Sequence, residues 1–187
     1  MKRLHLASAA AVLALAACNN NAGGNNAADN TLAVDNLVVE NSDLATTAAT
    51  GNIDQAFLTD AIKGDNGEIA LGQMAQQKGA SQDVKDFGQT LVTDHTNAKQ
   101  QAAALAQQAG MTVPDGMKDE QTAEQTKLEG LTGAAFDKEF ARFSVDAHQK
   151  DIAKFQQQAN GTGPTADLAK QTLPVLQKHL QVAQGLK

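Results

Sequence analysis

Residues 81–110, "SQDVKDFGQTLVTDHTNAKQQAAALAQQAG", carry the pattern that decides the fold. Ser81 is a natural N-cap, and from there to about Ala109 apolar or small residues recur every three or four positions, the period of one helix face. The residues predicted to face inward are Val84, Phe87, Leu91, His95, Ala98, Ala102 and Leu105. Asp94 lies about 100° around the helix from His95, so only one of the two can point squarely inward. The stretch predicts a long amphipathic helix with His95 facing the core.

Three further segments show the same period. The first runs from Ile53 to Lys78, the next from about Ala134 to Ala159, and the last from near Thr165 onward. Pro174 lies inside the last segment and should kink it, because proline removes a backbone hydrogen bond. The residues predicted to face inward are Phe57, Ala61, Gly64, Glu68, Leu71 and Ala75 in the first segment; Phe136, Phe140, Ser144, Ala147, His148, Ile152 and Phe155 in the next; and Leu168, Thr172, Val175, Leu176, His179, Val182, Ala183 and Leu186 in the last.

A connector, residues 110–133, separates the second and third long helices. Pro114 and Gly116 break its first half, and its second half predicts a short helix ending at Leu128 and Leu131. All six phenylalanines follow residue 52, which places one folded domain at residues 53–187. We therefore predict an all-α, up-down four-helix bundle with a short extra helix between its second and third helices.

The N-terminal residues predict the location of the protein. Residues 1–17 combine a basic start with a short apolar run, which is typical of a signal peptide. The ending "LAAC" resembles the bacterial lipobox, in which the cysteine receives a lipid; Cys18 would then attach the protein to a membrane. Asn19 is not the aspartate that retains enterobacterial lipoproteins in the inner membrane, so the resemblance implies a periplasm-facing protein of the cell envelope, at the outer membrane. The alternative is ordinary secretion with Cys18 as a free thiol.

Residues 18–52 are rich in Asn and Ala and contain no aromatic residue. Such a segment buries too little apolar surface to offset its ordering entropy, so we expect a disordered tether. Within it, "TLAVDNLVVEN" could form a short strand or a docking segment, or could simply be part of the linker. The chain has a net charge of −6, no Trp or Tyr and no Lys/Arg cluster, which argues against nucleic-acid binding.

Four polar side chains share the inward faces of the predicted helices. Counted from the helix ends, Glu68, His95, His148 and His179 lie at nearly one level of the bundle. Imidazoles and a carboxylate suit one transition-metal ion, such as zinc, iron, copper or nickel. Against this, the Glu-x-x-His pairs of di-iron bundles are missing, and the four groups could instead form a metal-free polar network that sets the helix register.

Three aspartates lie close to these residues in the sequence. Asp65 precedes Glu68 by one turn, Asp151 follows His148 by one turn, and Asp94 adjoins His95. Each could be a further ligand, a hydrogen-bond partner that orients an imidazole, or a solvated helix charge.

Catalytic signatures are weak. Ser144 lies one turn from His148, but the sequence offers no oxyanion donor, and it contains no phosphate-binding loop or dinucleotide fingerprint. This favours a non-enzymatic protein, either a metal binder or a structural or partner-binding envelope lipoprotein. The sequence does not identify a protein partner.

The residues from "GEIALGQMAQQKGASQDVKDFGQTLVTDHTNAKQ" through "LTGAAFDKEFARFSVDAHQKDIAKF" to "TLPVLQKHLQVAQ" resemble the bacterial family called domain of unknown function 4142. The most specific features are the Asp94-His95 pair, residues 133–137, and Leu173-Pro174 followed by His179. The resemblance implies a ferritin-like helical bundle, and members of the family are often labelled membrane or outer-membrane proteins. It also includes Glu68 and the three histidines, but it implies no settled activity.

Overall fold

The computed structural model describes residues 53–186, which form five helices and no strand. The helices are α1 (Gln55–Lys78), α2 (Gln82–Gln108), α3 (Asp119–Glu129), α4 (Gly133–Ala159) and α5 (Pro164–Gly185). The predicted all-α four-helix bundle is confirmed: α1, α2, α4 and α5 are its long helices, and α3 is the short extra helix. The predicted signal peptide, the lipidated Cys18 and the tether lie outside the described residues. Within 53–186, no helix combines the length and apolar character needed to cross a membrane.

The helix ends explain where the chain turns. The side chain of Ser81 accepts a hydrogen bond from the backbone N–H of Val84 at 3.3 Å and caps α2 as predicted. Asp54 caps α1 in the same way, through the N–H of Phe57 at 2.9 Å. Pro164 stands at the first position of α5, where its missing N–H costs nothing. The helix then continues through Pro174 to its end.

The connector from α2 to α4 runs back along α1. Asn66 in α1 donates to the carbonyl of Gly116 at 2.9 Å, and Lys78 at the end of α1 donates to the carbonyl of Leu128 at 2.8 Å. α4 therefore begins beside the α1–α2 turn, where the Asp137 carboxylate accepts the backbone N–H groups of Ala80 and Ser81.

The predicted up-down order of the four helices is wrong, because the connector carries the chain back along α1 before α4 begins. α1 and α2 form one antiparallel hairpin, α4 and α5 form another, and α2 and α4 run in the same direction. A single long crossover of this kind is the arrangement found in ferritin-like bundles. Because His148 lies near the middle of α4, its level is the same whichever end of the bundle α4 starts from.

Three apolar clusters fill the bundle on either side of a polar layer. One lies towards the α1–α2 turn and contains Phe87, Phe136 and Phe140. The other two lie towards the opposite end; one contains Leu58 and the other contains Phe155. The mid-bundle histidines lie between these clusters. The site is therefore held in place by packed core above and below it.

Two residues of the predicted inward stripe of α5 are exposed. Val175 is 37% and Val182 is 39% exposed, so their prediction as core residues is wrong. Each is the sequence neighbour of a buried residue, Leu176 or Ala183, and lies about 100° around the helix from it. No helix among the described residues covers that side of α5, so its buried stripe is narrower than the apolar pattern suggested.

Candidate metal centre

Three histidines from three helices meet at the middle of the bundle. His95 comes from α2, His148 from α4 and His179 from α5, and each is at most 4% exposed. One ring nitrogen from each lies within 4.8 Å of the other two. The ring centroids are 5.3 Å apart for His95 and His179 and for His148 and His179, and 5.8 Å apart for His95 and His148. The structure therefore brings together the three histidines that the sequence placed at one level.

His148 has its protonated nitrogen fixed by the backbone. Its Nδ1 lies 2.8 Å from the carbonyl oxygen of Ser144, one turn earlier in α4. A carbonyl oxygen only accepts hydrogen bonds, so Nδ1 must carry the proton. In the neutral ring, Nε2 then has no proton and carries a lone pair.

His179 and His95 are each bonded to a carboxylate. Nε2 of His179 lies 2.8 Å from Asp94 Oδ2, and Nδ1 of His95 lies 2.8 Å from Asp65 Oδ1. An ionised carboxylate accepts, so these nitrogens donate. Two of the three aspartates proposed as orienting partners thus contact an imidazole. Asp94 reaches His179 across the interface between α2 and α5, whereas His95, the next residue in the sequence, faces the core.

When Asp65 is ionised, the inner nitrogens of all three rings carry lone pairs. His148 Nε2 and His179 Nδ1 face each other at 3.3 Å, and with the outer nitrogens protonated neither has a hydrogen to donate to the other. His95 Nε2 is buried and has no hydrogen-bond partner among the described residues. Three inward lone pairs, each opposite an outer N–H held by an acceptor, could together hold a metal ion.

The environment of the rings favours their neutral form. Burial lowers the pKa of His95 to about 4, against the negative charge of Glu68, which acts in the opposite direction. Burial also lowers the pKa of His179 to about 4; its hydrogen bond to Asp94 opposes this shift, and the neighbouring histidines reinforce it. Neutral imidazoles are the form that binds metals.

The proton in the hydrogen bond between Asp65 and His95 can lie on either group. Burial, reinforced by the charge of Asp151, raises the pKa of the Asp65 carboxyl well above its usual range. A proton on Asp65 would be donated to His95 Nδ1, whereas a cation at the centre favours the ionised carboxylate and the Nδ1–H form. The second form leaves His95 Nε2 free to bind the cation.

The remaining predicted residues lie near the three-histidine group but not in it. Glu68 is buried at 2% exposure, and its Oε1 accepts a hydrogen bond from Gln121 Nε2 of α3 at 3.3 Å. Asp151 pairs with Lys118 at 2.8 Å rather than with an imidazole. Lys118 also reaches Asp60 at 3.2 Å, and this ion-pair cluster ties the start of α3 to α1 and α4.

Sequence reasoning missed Gln121 and the carbonyl of Ser144. Gln121 is 2% exposed and also donates to the carbonyl of Gly64 at 3.0 Å. It lies on α3, a polar helix without a clear apolar stripe, so periodicity does not show which of its faces packs against the bundle. Ser144 was noted only for its side chain, although a histidine that follows by four residues can reach the i−4 carbonyl within a helix.

An apolar ring closes one side of the centre. Phe87 lies 6.1 Å from the His179 ring and 6.4 Å from the His148 ring, measured between centroids. Because Phe87 belongs to the Phe-rich cluster, the histidines face packed apolar core on that side. A low dielectric strengthens charge interactions at the centre.

The sequence profile of the family described as "Domain of unknown function (DUF4142)" matches residues 39–186. The chain belongs to this family. The match to DUF4142 begins upstream of the described residues and covers all five helices. No curated protein matches the chain.

A crystal structure of a DUF305 fragment from Deinococcus radiodurans is similar to the chain, with a TM-score of 0.63. The sequence identity is 14%, and the match covers 70% of this chain and 92% of that fragment. At this identity the similarity supports the helical fold alone.

Proposed function

We propose that this DUF4142 protein binds one transition-metal ion at His95, His148 and His179. The observation that supports this most strongly is the orientation of the rings: each outer nitrogen is hydrogen-bonded to a carboxylate or a carbonyl, so the three inner nitrogens converge. In a metal-free network, the lone pairs of two of these nitrogens would face each other at 3.3 Å without a shared proton. A cation between them turns this repulsion into attraction.

The donor set determines the class of metal. Three imidazoles suit zinc, copper, iron or nickel, and the site has neither the all-oxygen ligands of magnesium and calcium nor a thiolate. Asp65 and Asp94 are hydrogen-bonded to the ligands, an arrangement that raises ligand basicity. Glu68, at the same level of the bundle, is our candidate for a fourth ligand if its carboxylate leaves Gln121.

The metal proposal is tested by calorimetric titration of the metal-free protein with zinc, copper(II), iron(II) and manganese(II). Wild type should bind at least one of these ions at one equivalent per chain. His148→Ala should lose that binding, and Gln149→Ala, an exposed neighbour on the same helix, should retain it. Circular dichroism of the two variants checks that both bundles are folded.

A metal-free role for the polar layer has a different signature. In that case wild type takes up none of the ions, or takes them up no better than His148→Ala, and the proposal fails. The layer would then act only on helix register, and His148→Ala would lower stability by leaving its polar partners unpaired.

We also propose that a lipid on Cys18 attaches the protein to the cell envelope, with the bundle facing the periplasm. Lipid labelling should be lost in Cys18→Ser, and the precursor should remain uncleaved. A Cys18→Ser protein that is processed normally and released as a soluble protein would contradict this attachment. The two proposals are independent, because the metal site lies entirely in residues 53–186.

A further inference from the structure

The two hairpins meet along two seams, one between α1 and α4 and one between α2 and α5, and these seams are not alike. The seam between α1 and α4 is covered by α3, and Lys118 places its ammonium group there between Asp60 and Asp151. Among the described residues, no helix covers the seam between α2 and α5, and several clefts lie along it. Within residues 53–186, the clefts along the α2–α5 seam have no Lys or Arg in their linings, whereas the lining of a cleft at the α1–α4 seam includes Lys154.

One of these clefts reaches the partner of a site histidine. It has a volume of about 210 Å³, and its lining includes Asp94, Thr172 and Val175 but no Lys or Arg. The side chain of Asp94 is 35% exposed, whereas that of His179, to which it is bonded at 2.8 Å, is 1% exposed. Asp65, the acceptor for His95, is only 11% exposed. Asp94 is therefore the acceptor through which the centre is connected to solvent.

α5 is held less firmly where it lines this cleft. Pro174 lies between Thr172 and Val175 and has no N–H, so the carbonyl of Lys170 loses its usual helical donor. A helix that lacks one backbone bond opens locally at lower cost. His179 lies little more than one turn beyond this point.

We propose that the metal ion enters and leaves the bundle through the α2–α5 cleft, with Asp94 as the carboxylate that first receives the cation and His179 as the ligand next to it. The cleft attracts a cation because its lining carries a carboxylate and no positive charge. At the opposite seam the Lys118 ammonium group already lies between the Asp60 and Asp151 carboxylates, so an entering cation would have to displace it. This inference rests on the proposed function, since it concerns the route to that site.

The experiment measures the rates of cobalt(II) uptake and release by the full chain. Uptake is followed by stopped-flow visible absorption of cobalt bound to imidazole, and release by mixing the loaded protein with excess EDTA. Val175→Phe should partly fill the cleft and slow both rates by the same factor, about tenfold or more, leaving Kd unchanged. Val182→Phe is the matched control, because this residue has the same exposure on the same helix but lines a different cleft.

The outcomes separate the route from the site. The route is overturned if Val175→Phe takes up and releases cobalt at the wild-type rates, or if its Kd changes while its uptake rate does not. It is also overturned if Val182→Phe slows both rates as much as Val175→Phe does. Faster uptake in Lys118→Ala alone would assign entry to the α1–α4 seam and also overturn it. If wild type binds no cobalt and no other titrated ion, the proposed function itself fails. Val175→Ala, which leaves the cleft open, should not slow either rate.

Discussion

At the scale of single residues, the buried imidazoles make the metal-free bundle sensitive to acid. The pKa of His95 and of His179 is about 4, below the ordinary 6.5. Between these pH values the unfolded chain binds more protons than the folded chain, so the free energy of unfolding falls as the pH drops from about 6.5 to 4. The raised pKa of Asp65 acts in the opposite direction, so we expect a net loss of about 2–4 kcal/mol.

Urea unfolding of metal-free protein at several pH values between 6.5 and 4 measures this loss. His179→Gln, which removes one of the two titrating rings, should show a smaller loss over the same range. The lowered carboxyl pKa of Glu139, at about 2, takes effect only at lower pH. Constant or increasing stability on acidification would show that the rings are protonated in the folded state.

The sequence identified the three inward histidines better than their hydrogen-bond partners. Each histidine lies on an apolar stripe of its helix, so periodicity placed all three inside, and counting residues from the helix ends placed them at one level. The partner of His148 is a backbone carbonyl, which no residue type reveals. The contact partner of Asp94 could not be predicted, because the distance between α2 and α5 decides whether Asp94 contacts α5 or solvent. Val175 and Val182 misled the prediction because an apolar residue at the edge of a stripe looks the same whether or not a neighbour covers it.

At the scale of helices, Asp137 joins the two hairpins. Its carboxylate, from α4, accepts the backbone N–H groups of Ala80 and Ser81 at 2.8 Å each, where α1 turns into α2. In Asp137→Asn the side-chain NH2 group would face one of these backbone N–H groups, and two donors cannot form a hydrogen bond. We expect a loss of about 1–3 kcal/mol in denaturant unfolding, against a change within about 0.5 kcal/mol for the exposed Asp146→Asn on the same helix. Equal effects of the two variants would show that Asp137 does not hold the turn.

A pair of glycines sets the spacing of α1 and α2. A Cβ on Gly88 would lie 2.6 Å from the carbonyl oxygen of Gly72 and 2.9 Å from the Cβ of Ala75. Gly88→Ala should therefore destabilise the bundle by about 1–3 kcal/mol, although alanine is the better helix former. Gly185→Ala, where a Cβ meets open space, is the control and should have little effect. A stabilising Gly88→Ala would show that the helices can separate at no cost.

The path of the connector could not be predicted from its sequence. Residues 110–133 are long enough for either a loose loop at one end of the bundle or a crossover, and local propensity is the same in both cases. The structure resolves the choice through contacts distant in sequence, such as Lys78 with the carbonyls of Leu128 and Glu129. These contacts place α3 over one seam and leave the other without a covering helix among the described residues.

At the scale of the whole molecule, a bound ion would join the two hairpins. His95 belongs to the first hairpin, and His148 and His179 belong to the second, so a metal bridges α2, α4 and α5. Free zinc at about a hundred times its Kd should stabilise the fold by about 2.7 kcal/mol through mass action and raise the thermal midpoint. The midpoint of His148→Ala should not respond to zinc, while that of Gln149→Ala should rise as in wild type. An equal rise in His148→Ala would place the zinc elsewhere.

The most direct test of the metal centre is anomalous diffraction at the zinc edge from crystals of zinc-loaded protein. We predict one ion inside the bundle, bonded to Nε2 of His95, Nε2 of His148 and Nδ1 of His179 at about 2.0–2.1 Å. Their other nitrogens should remain bonded to Asp65, the Ser144 carbonyl and Asp94. Anomalous peaks confined to surface carboxylates, or an ion that binds His179 through Nε2, would contradict the account.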